Sequence, residues 1–269
     1  MKLKYYLLLF ILCGALLSAC QKVIDIDVNT STSQLVIEGN ISNVRENQII
    51  KISRSVAYTE KNVYPAVSGA DVRVTDNLGN SWKFAETAPG QYAVIMRGVT
   101  GRTYKMKVVV DGQDYAATSV MPTAVKIDSL SLSNVTFGST TRKLVSVNYT
   151  DPKGQPNQYR YIMRINGKKS NRVYVTDDRL TDGNIRKEDL YPDTNDDDED
   201  DDLKTGDQVE VETQNIDKDV FTYWFTLRQQ RRGGPGGGVT PGNPPSNISN
   251  NALGYFSAHT YYSLAISVP

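Results

Sequence analysis

The chain contains almost no cysteine and almost no histidine. Its 269 residues include two cysteines and one histidine, and 30 basic residues balance 30 acidic ones. Histidine-rich zinc ligation is therefore excluded, and a serine or cysteine nucleophile would depend on a single imidazole. A formal net charge of zero gives no electrostatic footprint for nucleic acid, so we expect no nucleic-acid partner.

The amino terminus has the layout of a bacterial lipoprotein signal peptide. A basic start is followed by an apolar run over residues 5–17 and by Leu17-Ser18-Ala19-Cys20. The apolar run is shorter than the roughly 20 residues that a membrane-spanning helix needs. We therefore predict a signal peptide over residues 1–19, an anchor linker over residues 20–33, and a membrane attachment through acylation of Cys20.

This processing accounts for both cysteines. Cys13 is removed with the signal peptide and Cys20 carries lipid, so no disulfide can form. The mature chain has 250 residues and a net charge of −2, because Lys2 and Lys4 are removed. Its stability must come from the burial of apolar surface.

Residues 34–122 predict an N-terminal immunoglobulin-like or fibronectin-like β-sandwich. About seven short stretches rich in β-branched and aromatic residues are separated by turn residues, which is typical of such sandwiches. Asp111-Gly112 predicts a hairpin, because both central positions of a type I′ turn need positive φ. The expected strands cover residues 34–41, 48–54, 70–75, 81–85, 91–96, 103–110 and 113–118.

Residues 123–269 predict a second β-rich domain with one short helix. Residues 217–231 fit either a helix or an aromatic strand. The helix is favoured because Asp217 or Asp219 can cap its start and Gly233 follows its end. The expected strands cover residues 125–132, 143–149, 158–165, 172–176 and 208–213, with 253–257 and 261–268 as a terminal strand pair.

Two segments of this second domain have unusual compositions. The acidic loop 193–202 contains eight acidic residues in ten, and the loop 233–245 contains ten glycines or prolines in thirteen. Neither can bury enough apolar surface to order itself. We expect both to form loops.

Calcium binding by the acidic loop is only a weak hypothesis. Aligned with a calcium loop from Asp193, position six is Asp198 instead of glycine and position twelve is Lys204 instead of glutamate. A solvated loop is the preferred interpretation, and we expect no cofactor. The weak calcium candidates are Asp193, Asp196, Asp198 and Asp200.

The chain contains no recognisable enzyme motif. A phosphate loop and a nucleophile elbow are both absent from the sequence. His259 lies in a period-2 stretch, so we expect a strand residue that faces solvent. We therefore expect a protein that is not an enzyme. A surface hydrolase remains a less favoured alternative, because paired carboxylates need no local signature.

Most aromatic residues of the second domain are expected simply to alternate between core and surface in strands, and a binding surface is the alternative interpretation. The chain contains 16 tyrosines and six phenylalanines, and tyrosine favours interfaces because it is amphipathic. The candidate partner contacts are Tyr223, Trp224, Tyr255 and Phe256.

Several short motifs follow one another over the whole predicted mature chain. Each is weak alone, and their order is the informative property. They are Leu35–Gly39, Val72–Val74, Tyr104–Val108, Asp151-Pro152, Tyr159–Tyr161, Asp177–Gly183, Gly206–Val211, Tyr223-Trp224, Asn243–Ile248 and Ala252–Ala258.

This series resembles the Bacteroidota lipoproteins of domain-of-unknown-function family 4249 (DUF4249). The resemblance implies a non-enzymatic accessory or ligand-capture partner of a TonB-dependent nutrient receptor. It also implies a lipid anchor in the outer membrane, on the periplasmic face or the cell surface. The family has no established catalytic residues to carry over. The alternative function is a structural or adhesive cell-surface lipoprotein that binds glycans or peptides.

Overall fold

Alternation of buried and exposed side chains accounts for most of the fold. The computed structural model describes residues 33–57, 61, 63–191, 202–230 and 242–269. Within these ranges the chain forms fifteen strands and one helix, so the predicted mostly-β fold with one short helix is confirmed.

Several predicted features lie outside the described residues. They are the signal peptide, Cys20 and nearly all of the anchor linker, the four aspartates proposed as weak calcium candidates, and residues 233–241 of the glycine- and proline-rich loop. Among the residues that the structure describes, no helix combines the length and apolar character of a membrane span.

The strands and the helix of the described residues follow one another along the chain in a fixed order. The strands are β1 (Leu35–Ser42), β2 (Glu46–Arg54), β3 (Asp71–Asp76), β4 (Ser81–Ala88), β5 (Gln91–Met96), β6 (Thr103–Val110), β7 (Gln113–Val120), β8 (Ser129–Phe137), β9 (Thr140–Thr150), β10 (Gln158–Ile165), β11 (Lys168–Lys169), β12 (Tyr174–Asp177), β13 (Ile185–Leu190), β14 (Gln208–Asn215) and β15 (Leu253–Ser267), and the helix is α1 (Lys218–Gln230).

Strands β1–β7 form the N-terminal region, a sandwich around one apolar core. Their order in the sheet is β1-β2-β5-β4-β3-β6-β7. Strand β4 passes between the two layers, because its first half pairs with β3 and its second half with β5. Alternate residues such as Ile37, Val72 and Tyr104 fill the interior and are fully buried. All seven strands expected in this part of the chain are present.

The Asp111-Gly112 turn confirms the hairpin prediction. Both residues have positive φ, 51° and 77°, and the turn joins β6 to β7. The second half of β7 contacts the last strand and the segment before it: Ala117 bridges Ile248, and the N–H of Ala258 donates to Ser119 Oγ at 2.8 Å. The sheet therefore curls until its two ends meet around the core.

The C-terminal region places a second core between two sheets. One sheet contains β11, β10, β14 and part of β15, and the other has the order β13-β9-β8. Tyr149 and Tyr161 are buried between them, and the Tyr161 hydroxyl donates to the Tyr149 hydroxyl at 2.9 Å. Burial raises the pKa of both phenols, so both stay protonated at neutral pH.

Strand β15 joins the two regions into one continuous sheet. Residues 253–259 pair in parallel with β1, and residues 260–267 pair antiparallel with β14. The expected terminal strand pair is therefore wrong. Ala258-His259-Thr260 contains no turn residue, so the extended backbone continues through it.

Alternate side chains along β15 pack into both cores. Phe256 and Ala258 lie in the first core, and Tyr262 and Leu264 pack against the second. Residues at odd positions therefore face the opposite side of the sheet in both regions, because successive side chains of a strand point to opposite faces.

Helix α1 packs on that opposite side, against β10, β12 and β15. Its prediction is confirmed, with Asp217 as the cap: the Val220 N–H donates to Asp217 Oδ1 at 2.9 Å. The other oxygen of Asp217 accepts from the Ser119 hydroxyl and from the Val120 N–H. The cap thus also ties the helix to the end of β7.

Several elements differ from their predictions. Strand β11, Lys168–Lys169, has no counterpart among the expected strands. Strand β8 begins at Ser129 instead of residue 125, because Val125 leaves the ladder and its N–H donates to the Asn215 side chain at 2.9 Å. Strand β13 has no counterpart among the expected strands. Its sequence, Ile185–Leu190, contains four charged residues and therefore lacks the apolar alternation that predicts a strand.

Gly254 should be essential for the pairing of β15 with β1. Its φ is 94°, and an added Cβ would lie 2.0 Å from the carbonyl oxygen of Ile37. We expect Gly254→Ala to lower the free energy of unfolding by at least about 3 kcal/mol in urea denaturation.

Gly79→Ala is the matched control for this substitution. Gly79 also has a positive φ, 85°, but an added Cβ would meet nothing within 4 Å. The control should therefore cost only about 1 kcal/mol. Equal losses for the two variants would contradict the assigned strand pairing.

Candidate functional site

A polar cleft of about 570 Å³ lies on the outer face of the continuous sheet, where the two regions meet. Its lining comes from strands β1, β2, β10, β11, β14 and β15. The volume is within the usual range for small-molecule sites. Its charged lining residues are Glu38, Glu46, Glu210, Glu212, Lys51, Arg160, Arg164 and Lys169.

A chain of polar contacts crosses the floor of the cleft. The guanidinium carbon of Arg160 lies 3.6 Å from the centre of the Trp224 ring, and Arg160 Nη1 donates to Gln214 Oε1 at 3.0 Å. Gln214 Nε2 donates to Glu212 Oε1 at 2.6 Å, and Arg164 Nη2 donates to Glu212 Oε2 at 3.0 Å. The contacts link the helix to strands β10 and β14.

This network is largely buried although it is highly polar. Arg160, Glu212 and Gln214 are 7, 6 and 4% exposed. Buried polar groups lose their hydration, so they need partners with good geometry to remain stable. Because each contact restrains the next side chain, the floor of the cleft should be rigid.

Arg160 is a buried cation without a carboxylate next to it. None of the ion pairs within 4.0 Å among the described residues includes Arg160. Burial lowers the pKa of Arg160, and the nearby Tyr255 and Glu212 oppose that effect. A guanidinium still keeps its proton at neutral pH. The cleft therefore contains a desolvated positive charge whose nearest partners are neutral.

His259 also lies in this cleft, which corrects the expectation that it faces solvent. It is 4% exposed, and its Nδ1 lies 3.1 Å from Ser257 Oγ. His259 pairs with Ser42 of β1, the adjacent Thr260 pairs with Asn215 of β14, and the His259 side chain lines the cleft. Burial, together with the charge of Arg160, lowers the pKa of His259 to about 3.

Three of the four predicted aromatic contacts come together beside the cleft. Tyr255 lines it, and the ring centres of Tyr223 and Trp224 lie 5.1 and 5.0 Å from the Tyr255 ring. Asn40 Nδ2 donates to the Tyr255 hydroxyl at 3.3 Å. Phe256 is instead fully buried in the first core. It is a core residue because it follows Tyr255 in the strand and faces the other side.

The sequence prediction missed the charged residues of the network. A signal for them exists, since Arg160 and Arg164 alternate along β10 while Glu210 and Glu212 alternate along β14. Complementary charges at period two indicate strands whose polar faces adjoin. The pairing of β10 with β14 itself is a tertiary property that neither segment reveals alone.

The chemistry of the cleft suits binding better than acid–base catalysis. Both oxygens of Glu212 already accept hydrogen bonds, and Glu210 accepts from Ser263 Oγ at 2.7 Å. Glu46 accepts from Ser42 Oγ at 2.8 Å. A histidine with a pKa of about 3 is a weak general base near neutral pH.

A separate acidic cluster lies at one end of the C-terminal region. Asp151, Asp178 and Asp182 offer carboxylate oxygens within 4.8 Å of one another. Asp178 accepts the N–H of Asn157 at 2.6 Å, and Asp151 accepts that of Gly183 at 3.1 Å. These bonds connect the loop after β9 to the loop after β12, so the cluster has a structural explanation as a link between the loops.

The fold and the cleft together define a mostly-β protein with sandwich-like sheets and one helix across their junction. The model of the family described as "domain of unknown function (DUF4249)" matches residues 21–264, and the chain belongs to this family. No curated protein matches the chain. A solved two-domain fibronectin type III segment from chicken tenascin is 12% identical, with a TM-score of 0.25, over 88% of this chain and 100% of that chain.

The buried His259 should make the protein sensitive to acid. Its pKa is about 3 in the folded chain against 6.5 for an ordinary histidine, so the unfolded chain binds the proton first. The stability due to neutral His259 is complete above pH 6.5 and is lost as the pH falls from 6.5 toward 3.

The measurement compares wild type with His259→Gln, which does not titrate. Between pH 7 and pH 4.5 the unfolding free energy of wild type should fall by about 2 to 3 kcal/mol more than that of the variant. The comparison uses urea denaturation at each pH. Equal falls for both proteins would show that His259 is not held neutral by its surroundings.

Proposed function

We propose that the protein is a non-enzymatic outer-membrane lipoprotein that captures a polar ligand for a TonB-dependent nutrient receptor. The observation that carries the binding role is the polar cleft at the junction of the two regions, with its buried hydrogen-bonded network. Membership of the family supports the same role through the accessory function that the resemblance implies. The proposal includes a bacterial origin in the Bacteroidota and an anchor at Cys20.

The cleft has the properties that reversible capture needs. Its donors and acceptors are held on paired strands, so little conformational entropy is lost when a ligand binds. Its lining contains four acidic and four basic side chains, which suits a ligand with several polar groups. Three of the four acidic side chains, Glu46, Glu210 and Glu212, already accept hydrogen bonds from neighbours.

The lipid anchor would contribute the second part of the proposed mechanism, which is to keep the protein close to its receptor. A protein attached to the same membrane as its receptor has a high effective concentration there, even when the interface between the two is weak. Capture in the cleft followed by release to the receptor therefore needs no large permanent interface. Tyr223 and Trp224 on helix α1 would lie next to the bound ligand.

Acylation of Cys20 can be tested by metabolic labelling with a palmitate analogue. We expect Cys20→Ser to abolish the label, because the thiol is the acceptor of the lipid. Cys13→Ser is the matched control and should label like wild type, since Cys13 belongs to the predicted signal peptide. Retention of the label in Cys20→Ser would contradict the assigned anchor.

The receptor partnership can be tested by affinity purification of the tagged chain from native outer membranes in mild detergent. We expect a TonB-dependent receptor in near-equal amount, identified by mass spectrometry, and its loss from the Cys20→Ser sample. Recovery of the lipoprotein alone would contradict the accessory role and favour a structural or adhesive surface protein.

A further inference from the structure

A smaller pocket of about 170 Å³ adjoins the cleft at β10 and β11. Arg160, Ile162 and Lys169 line both cavities. Among the described residues that line the smaller pocket, the charged ones are Arg160, Lys169 and Arg172, and none is acidic. Among the described residues, the mixed charges of the larger cleft therefore give way to basic side chains at this end.

The position of Arg160 makes it available to an anion. Its guanidinium stacks on Trp224, with one N–H donated to Gln214 and a neutral contact to Tyr255. A guanidinium has five N–H donors in a planar fork that matches two oxygens of an oxyanion. Arg160 also lines the smaller pocket, whose described lining provides no carboxylate.

Lys169 and Trp224 add two further donors. Partial desolvation of the ammonium group lowers the pKa of Lys169, the charges of Arg160 and Arg164 lower it further, and Glu212 and Glu38 oppose that effect. Trp224 also lines the pocket, and its buried Nε1–H has no hydrogen-bond partner among the described residues. A buried donor without an acceptor is costly, so an acceptor supplied by a ligand would be favourable.

We propose that this pocket is an anion subsite, which binds the carboxylate or phosphate group of a ligand whose uncharged polar part occupies the larger cleft. The inference rests on the proposed ligand-capture role and deepens it by naming the ligand class. The fork of Arg160 would hold two oxygens of the anion, and the Lys169 ammonium would approach a third side. Charge-assisted hydrogen bonds of this kind are stronger than neutral ones.

Trp224 provides a direct reporter of the subsite. The chain contains two tryptophans, and Trp82 packs near Tyr104 in the first region. With Trp82→Phe as background, Trp224 is the only tryptophan that emits. The full chain in detergent is titrated at low ionic strength with inorganic phosphate, acetate, glucuronate and glucose. Glucuronate and glucose share one ring and differ in the carboxylate.

We expect glucuronate to change the fluorescence of Trp224 at millimolar concentration and glucose to leave it unchanged. The relative affinities for acetate and phosphate show whether the subsite prefers a carboxylate or a phosphate group. Lys169→Gln should weaken binding by about tenfold, the loss expected for one charge-assisted hydrogen bond. Lys169 is exposed, so this variant should fold normally, unlike a substitution of buried Arg160.

Lys168→Gln is the matched control, because Lys168 neighbours Lys169 on β11 but lines neither the cleft nor the subsite. Equal weakening by both variants would overturn the proposal, since it would indicate general charge attraction. The absence of any response to the anions would also overturn it.

If a receptor is still recovered in that case, the accessory role stands and only the ligand class fails. If the protein binds anions but no receptor is recovered in the affinity purification, the subsite is supported and the receptor partnership is contradicted.

Discussion

The pairing of one strand with two different neighbours is the constraint on which the rest of the structure depends. Strand β15 is parallel to β1 in its first half and antiparallel to β14 in its second. Because its alternation continues without a break, one set of side chains fills both cores and the other set forms a single outer face. A turn within β15 would separate the two regions and divide the cleft between them.

The same continuity explains why a polar network can exist at the junction. Arg160 and Glu212 belong to strands of the C-terminal region, while Asn40 and Glu38 belong to β1 of the N-terminal region. Their relative positions are set by main-chain ladders that meet at β15. Partly satisfied buried polar groups are costly, so such a network requires this precision of placement. The network in turn holds His259 neutral and leaves Arg160 available to an anion.

Local signals predicted the parts of the fold that depend on neighbouring residues. The Asp111-Gly112 turn and the Asp217 cap needed only residues within one turn, and both predictions are confirmed. The candidate site was predicted only in part, through the aromatic cluster at Tyr255. The burial of His259 and the pairing of β10 with β14 arise from segments distant in sequence, which periodicity within one segment cannot reveal.

Native-state hydrogen exchange of the β15 amides tests most directly whether one strand holds both regions in a single cooperative unit. If it does, amides from Tyr255 to Tyr262 should exchange only through global unfolding, with protection equal to that of the strongest amides in β6 and β9. The contradicting result would be a C-terminal region that opens at lower free energy while β1 remains protected. In that case the cleft would be a contact between two independent units.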